Sequence, residues 1–147
     1  MRSSLKNSLL SLIVLATSLI ALAPTNAATQ IYYNNCGAAA VVKPVTITQY
    51  CADAGAGVID IKWSTWGKTS AKGAGTFYVN DCTPTCVSGK IYRTRAKVVL
   101  SDLTFTHGKN YLLKVTVTPA AAKYFFWPKK QKPIPSKISW VTDTWRG

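Results

Sequence analysis

Between Lys90 and Leu103 the chain alternates with a period of two. Tyr92, Thr94, Ala96, Val98 and Leu100 fall on one side, and Arg93, Arg95 and Lys97 on the other. Successive side chains of a strand point to opposite faces, so this pattern predicts a half-buried β-strand rather than an amphipathic helix. In Val58–Thr65 the same period predicts that Ile59, Ile61 and Trp63 share a face opposite Asp60, Lys62 and Ser64. Thr76–Asn80 and Asn110–Thr118 read as further strands, the second entered through a His107-Gly108 turn and ended by Pro119. Val41–Tyr50 reads as extended, with Pro44 arguing for an edge position or an irregular start, and Lys68–Gly75 as a polar connection. Lys137–Trp145 is a last extended piece in which Ile138 and Trp140 alternate. Roughly five to seven strands with closely spaced turns predict an all-β fold, a small antiparallel β-sandwich or barrel.

The segment ahead of these strands is of another kind. Arg2 and Lys6 precede an apolar run from Leu9 to Ala23, about 15 residues long, which suits a secretory signal helix and is short for a membrane span. Small residues at Thr25 and Ala27 predict cleavage after Ala27, giving a signal peptide over 1–27 and a single mature β domain over 28–147. An uncleaved anchor is the alternative. A lipoprotein fits less well, because no Cys directly follows the apolar run.

Export gives the four cysteines their meaning. Cys36, Cys51, Cys82 and Cys86 all lie in the mature part, and an even number in a small exported chain reads as disulfides with three possible pairings. Sequential pairing, Cys36–Cys51 and Cys82–Cys86, is preferred, since Pro84 pre-bends the short second loop. In the chain-entropy model the bridges contribute about 3 and about 2 kcal/mol. The competing reading, a metal site on the same thiols, lacks paired ligand knuckles, and the single His107 is remote in sequence. No metal and no cofactor is expected.

The 18 Lys and Arg face 5 acids, all Asp, for a net charge of +13. Without the leader this is near +11 over about 120 residues. Enzymatic readings find little material. Nucleophilic hydrolysis needs a base beside a Ser or Cys, and His107 sits in a turn. Two carboxyls across a cleft would have to come from Asp53, Asp60, Asp81, Asp102 and Asp143, of which Asp53, Asp81 and Asp102 read as turn residues bonding local amides. No Gly-rich phosphate loop opens a helix. No catalytic residues are assigned, and a non-enzymatic protein is expected.

Three segments occur in order: Cys51-Ala52-Asp53, then Lys62-Trp63-Ser64-Thr65-Trp66-Gly67, then Asn80-Asp81-Cys82-Thr83-Pro84-Thr85-Cys86 with Gly89. Across roughly Val45 to Thr118 the chain resembles a group of small secreted actinobacterial proteins. In that group C-A/G-D, W-S-S/T-W-G and N-D-C-x-P-x-C-x-x-G segments recur. The resemblance implies export and a compact β domain. It implies no activity, since the group has none assigned, and Cys36 and the C-terminus lie outside it.

Two features remain as candidate sites. Arg93, Arg95 and Lys97 form a stripe with neighbours nearly 7 Å apart, to which the Pro-bounded cluster Lys129, Lys130 and Lys132 within 128–135 adds charge. Together they suit an anionic envelope polymer or membrane surface. Export argues against nucleic acid as the partner in vivo. The plainer reading is an outward face charged against aggregation. Trp63 reads as core. Trp66, beside Gly67, is either an exposed ring for stacking on a sugar or a hydrophobic plug at a strand end. Tyr124-Phe125-Phe126-Trp127 reads either as core or as a membrane-interface anchor. A protein-interaction module presenting disulfide-fixed loops (inhibitor, effector or adhesin) is the alternative function, with weak carbohydrate binding through Trp66 behind it.

Overall fold

From Ile91 onward the alternating segment Lys90–Leu103 lies within the longest strand among the described residues. A computed structural model describes residues 29–36, 40–120 and 136–142, and of 126–127 and 132–133 the backbone alone. The signal peptide expected over 1–27 lies outside the described residues. The strands are β1 Ile31–Asn34, β2 Ala40–Val41, β3 Ile47–Thr48, β4 Ala56–Trp66, β5 Ala71–Asn80, β6 Ile91–Thr106, β7 Lys109–Pro119, β8 Phe126–Trp127, β9 Lys132–Pro133 and β10 Ile138–Val141. No helix is present among the described residues. The main sheet runs β2-β1-β7-β6-β5-β4-β3, and β8 and β9 form a separate pair. Every ladder is antiparallel except β1–β7, where Ile31 and Tyr32 pair with Asn110 and Tyr111. The other half of that β7 edge, Lys114 to Val117, pairs with β10.

The sheet curls into a half-barrel, and its connectivity shows why. β2 and β3 terminate opposite ends of the strand order yet only residues 42–46 separate them. An extended chain spans at most about 3.6 Å per residue, so the two edges must stand within roughly 20 Å of each other. The segment expected as one strand over Val41–Tyr50 is therefore two edge strands joined by a strap across the open side. The strap is bonded to β4, with Ile61 N–H donating to the Val45 carbonyl at 3.0 Å and the Trp63 indole N–H to the Pro44 carbonyl at 2.8 Å.

Ile31, Tyr33, Ile47, Val58, Ile61, Phe77, Val98, Leu100, Leu112, Val115 and Val117 build the buried core. The β6 alternation appears as expected, with Ala96, Val98 and Leu100 buried and Arg93, Arg95 and Lys97 exposed. In β4 it does not. Register shifts fall between Ile59 and Lys62 and between Trp63 and Thr65, and Asp60 has φ +54°. An extra residue at a bulge moves all later side chains to the other face. Val58 and Ile61, three apart, are thus both buried, while Ile59 is only half-buried and does not share the Ile61 face.

The expected connection Lys68–Gly75 is likewise mostly strand: β5 begins at Ala71, and only residues 67–70 turn. Its glycines serve the bulges opposite. A Cβ on Gly75 would stand 2.6 Å from the Ile59 carbonyl oxygen, and one on Gly73 2.9 Å from that of Lys62, so the two backbones close on each other only where no side chain intervenes.

Both expected disulfides form, Cys36–Cys51 with Cα atoms 5.3 Å apart and Cys82–Cys86. Such bridges are consistent with an oxidising environment. His107 (φ +48°) and Gly108 (φ +72°) make the two-residue turn between β6 and β7, the left-handed pair that matches strand twist. Asp102, expected at a turn, lies instead inside β6 at φ +61°.

Candidate functional site

In an antiparallel pair, residues directly opposite share a face, so the ladders map the outer surface row by row. Lys97 faces Ala74, and Ala74 faces Lys62 on its other side; across β7 the row continues to Thr118. The next row holds Arg95, Thr76 and Ile59, and the one beyond it Arg93, Tyr78 and Gly57. In the opposite direction Val99 lies between Lys72 and Thr116, and Ser101 lies opposite Lys114. The stripe on β6 is therefore one column of a wider field. Arg93, Arg95, Lys97, Lys62, Lys72 and Lys114 share the outer side of four adjacent strands, all exposed but the half-buried Lys114.

Strand geometry sets the spacing at about 7 Å along each strand and about 5 Å between strands. From Arg93 to the row of Lys114 is roughly 27 Å. Among the described residues no carboxylate forms an ion pair with any of the six. Asp60 and Asp102, the acids in these strands, stand at the irregular positive-φ positions, and Asp53 and Asp81 are bound locally. Asp53 Oδ1 accepts the Gly55 N–H at 2.9 Å, and Asp81 Oδ1 accepts those of Thr83 and Lys90 at 3.0 and 2.8 Å. Like charges this close raise the local potential and attract counter-anions. Between the cations lie Thr76, Thr116, Thr118 and Ser139, and the Thr116 and Ser139 hydroxyls bond each other at 3.1 Å. The surface can thus offer both charge and hydroxyl donors to an anion. Lys129 and Lys130 lie outside the described residues, and of Lys132 only the backbone, paired with Trp127, is described.

Trp66 lies elsewhere. The second β4 bulge brings it to the side of Trp63, although residues three apart on a regular strand point oppositely. The rings meet edge to face at 4.9 Å. The Trp66 indole N–H donates to the Ile31 carbonyl at 3.1 Å, so this half-buried ring spans from β4 to β1 across the open side. Its polar atom is engaged by the fold, which favours the plug over the stacking platform.

The end of the barrel near both disulfides has a hollow of about 260 Å³ lined by Tyr50, Asp53, Gly55, Val79, Asn80 and Cys82. Here the Cys51-Ala52-Asp53 and Asn80–Cys86 segments meet. The Asn80 side chain donates to the Cys86 carbonyl at 2.7 Å and accepts from the Cys82 N–H at 2.9 Å, so its polar groups hold the loop. Asp53, Cys82 and Cys86 place their oxygen and sulfur atoms within 4.8 Å of one another. Both sulfurs are joined in a disulfide, and no thiolate is available for a metal.

The residues that sequence reasoning missed are Lys62, Lys72 and Lys114. Lys114 was within reach: counting back from a two-residue turn pairs Thr106 with Lys109 and thus Ser101 with Lys114. Lys62 and Lys72 were not, because the bulges that set their register leave no unique sequence mark. No protein-family model matches the chain, and no curated protein or solved structure matches it.

Proposed function

We propose that this is a secreted or envelope-associated, non-enzymatic β domain that binds anionic surface polymers or membrane through the outer face of β4–β7. One observation carries the reading: six cations from four strands converge on one side with no described carboxylate paired to them. A spacing near 7 Å along the strand is comparable to that of neighbouring phosphates in an extended polyphosphodiester. Export, expected from the leader and consistent with the disulfides, makes envelope polymers and lipid headgroups the anions it would meet. The test is retention on purified envelope polymer and on anionic vesicles as salt is raised, comparing the parent with a variant carrying Arg93→Gln, Arg95→Gln and Lys97→Gln. The parent should be retained at low salt and released at high salt, with the variant eluting much earlier. Equal retention of both would sink the proposal.

A second reading, a disulfide-fixed interaction module, draws on Val87, which is fully exposed just past the Cys82–Cys86 loop. A complex recovered from culture supernatant that withstands high salt and is lost on Val87→Asp would favour it instead.

A further inference from the structure

β6 and β7 run on past the start of β5. β5 begins at Ala71, opposite Leu100, so residues 101–106 of β6 continue with β7 on one flank and, among the described residues, no strand on the other. On its far side this ribbon is held by β1 through Asn110 and Tyr111. The result is a hairpin projecting past β5, tipped by His107 and Gly108.

Two of its side chains are out of keeping with a charged surface. Phe105 is 70% exposed and Leu103 45% exposed; two apart on one strand, they share a face. Leu103 lies opposite Leu112, a member of the buried core, so past the positive-φ Asp102, which breaks the alternation after Ser101, the apolar strip continues the core side of the sheet beyond the end of β5. Val141, 66% exposed, stands opposite Lys114 at the same end. Lys109 stands at the turn beside the strip, with its Nζ 5.7 Å from the Tyr32 ring centre, and the outer-face cations Lys72 and Lys114 flank the base of the hairpin on the other side of the sheet. Asp102 is the acid of the ribbon.

An exposed apolar strip on a hairpin that carries lysines at its turn and base is what an anionic bilayer surface complements. The side chains enter the acyl boundary while the ammonium groups meet phosphates. A soluble polyanion, by contrast, offers Phe105 and Leu103 nothing. We propose that the β6–β7 hairpin is an interfacial anchor that inserts Phe105 and Leu103 into anionic lipid, oriented by the cationic face. This rests on the anion-binding reading above and commits it to lipid as one ligand.

The test uses the disulfide-bonded protein and two probes: vesicles of equimolar phosphatidylglycerol and phosphatidylcholine, and long-chain inorganic polyphosphate. A variant with Leu103→Ser and Phe105→Ser should lose about tenfold or more in vesicle partitioning and bind polyphosphate as the parent does. Phe105→Leu should retain most vesicle affinity. Unchanged vesicle binding in the double variant overturns the anchor, as does an equal loss on both probes. A parent that binds polyphosphate but not vesicles also overturns it and leaves the anion-binding reading standing. A parent that binds neither probe removes both.

Discussion

Asp53 and Asp81 hold backbone amides with their carboxylates, and Asp60 and Asp102 occupy left-handed positions inside strands. Asp tolerates that conformation better than most residues because its short polar chain bonds locally. Asp53 and Asp81 are thus engaged by the backbone around them, and with only 5 acids in the chain few carboxylates oppose the cations. Tyr33 poses the reverse case at the same scale. It is fully buried, its hydroxyl has no hydrogen-bond partner among the described residues, and burial pushes its ionisation well above the ordinary value of 10.0. The folded state thus holds the phenol proton more tightly than the unfolded chain. That contribution is complete below pH 10 and is lost as pH rises beyond it toward the folded value. Tyr33→Phe should leave stability at neutral pH within about 1 kcal/mol of the parent, since it removes a buried polar group without opening a cavity. Denaturant unfolding should also show a shallower decline above pH 10 than in the parent. A neutral-pH loss above about 2 kcal/mol would mean that the hydroxyl is bonded after all.

At the scale of elements, the barrel is closed by side chains where a ladder is missing. Trp66 reaches the Ile31 carbonyl, Trp63 reaches Pro44, Asn35 Oδ1 accepts the Thr48 N–H at 3.1 Å, and Cys36–Cys51 joins the exit of β1 to the chain after β3. These contacts span sequence separations that no local propensity can secure, so the disulfide matters most for holding the two edges together. Replacing both cysteines with Ser should cost about 3 kcal/mol in chemical denaturation. It should also shift tryptophan emission to the red as the Trp63–Trp66 side becomes wetter. A loss under about 1 kcal/mol would show that the indole bonds close the barrel unaided. The same elements show what the sequence reveals. β6 and its turn were legible because a regular alternation and a His-Gly pair are local signals. β1 was not, for its four residues show no alternation: Tyr33 and Asn34 are both buried. The bulges of β4 were hidden too, since they depend on how β5 lies against it, and with them went the burial of Ile61 together with Val58 and the shared face of Trp63 and Trp66.

For the whole molecule the question is whether the charge acts as a line or as a field. A polymer tracking β6 alone would touch Arg93, Arg95 and Lys97, whereas one crossing the strands would also meet Lys62, Lys72 and Lys114. Counterion release separates the two. The logarithm of affinity falls with the logarithm of salt by roughly 0.7 for each phosphate neutralised on a single-stranded polyanion. Removing three engaged cations should therefore lower that slope by about 2. If the face works as a field, Gln at Arg93, Arg95 and Lys97 and Gln at Lys62, Lys72 and Lys114 should lower the slope about equally. The two sets together should bring polyphosphate affinity close to that of a neutral surface. All six positions lie on the outer face away from the buried core, so thermal stability should change little, or rise as mutual repulsion is relieved. A slope that moves only with the β6 set would confine binding to the strand first seen in the sequence. A slope that moves with neither would place the anion elsewhere on the protein.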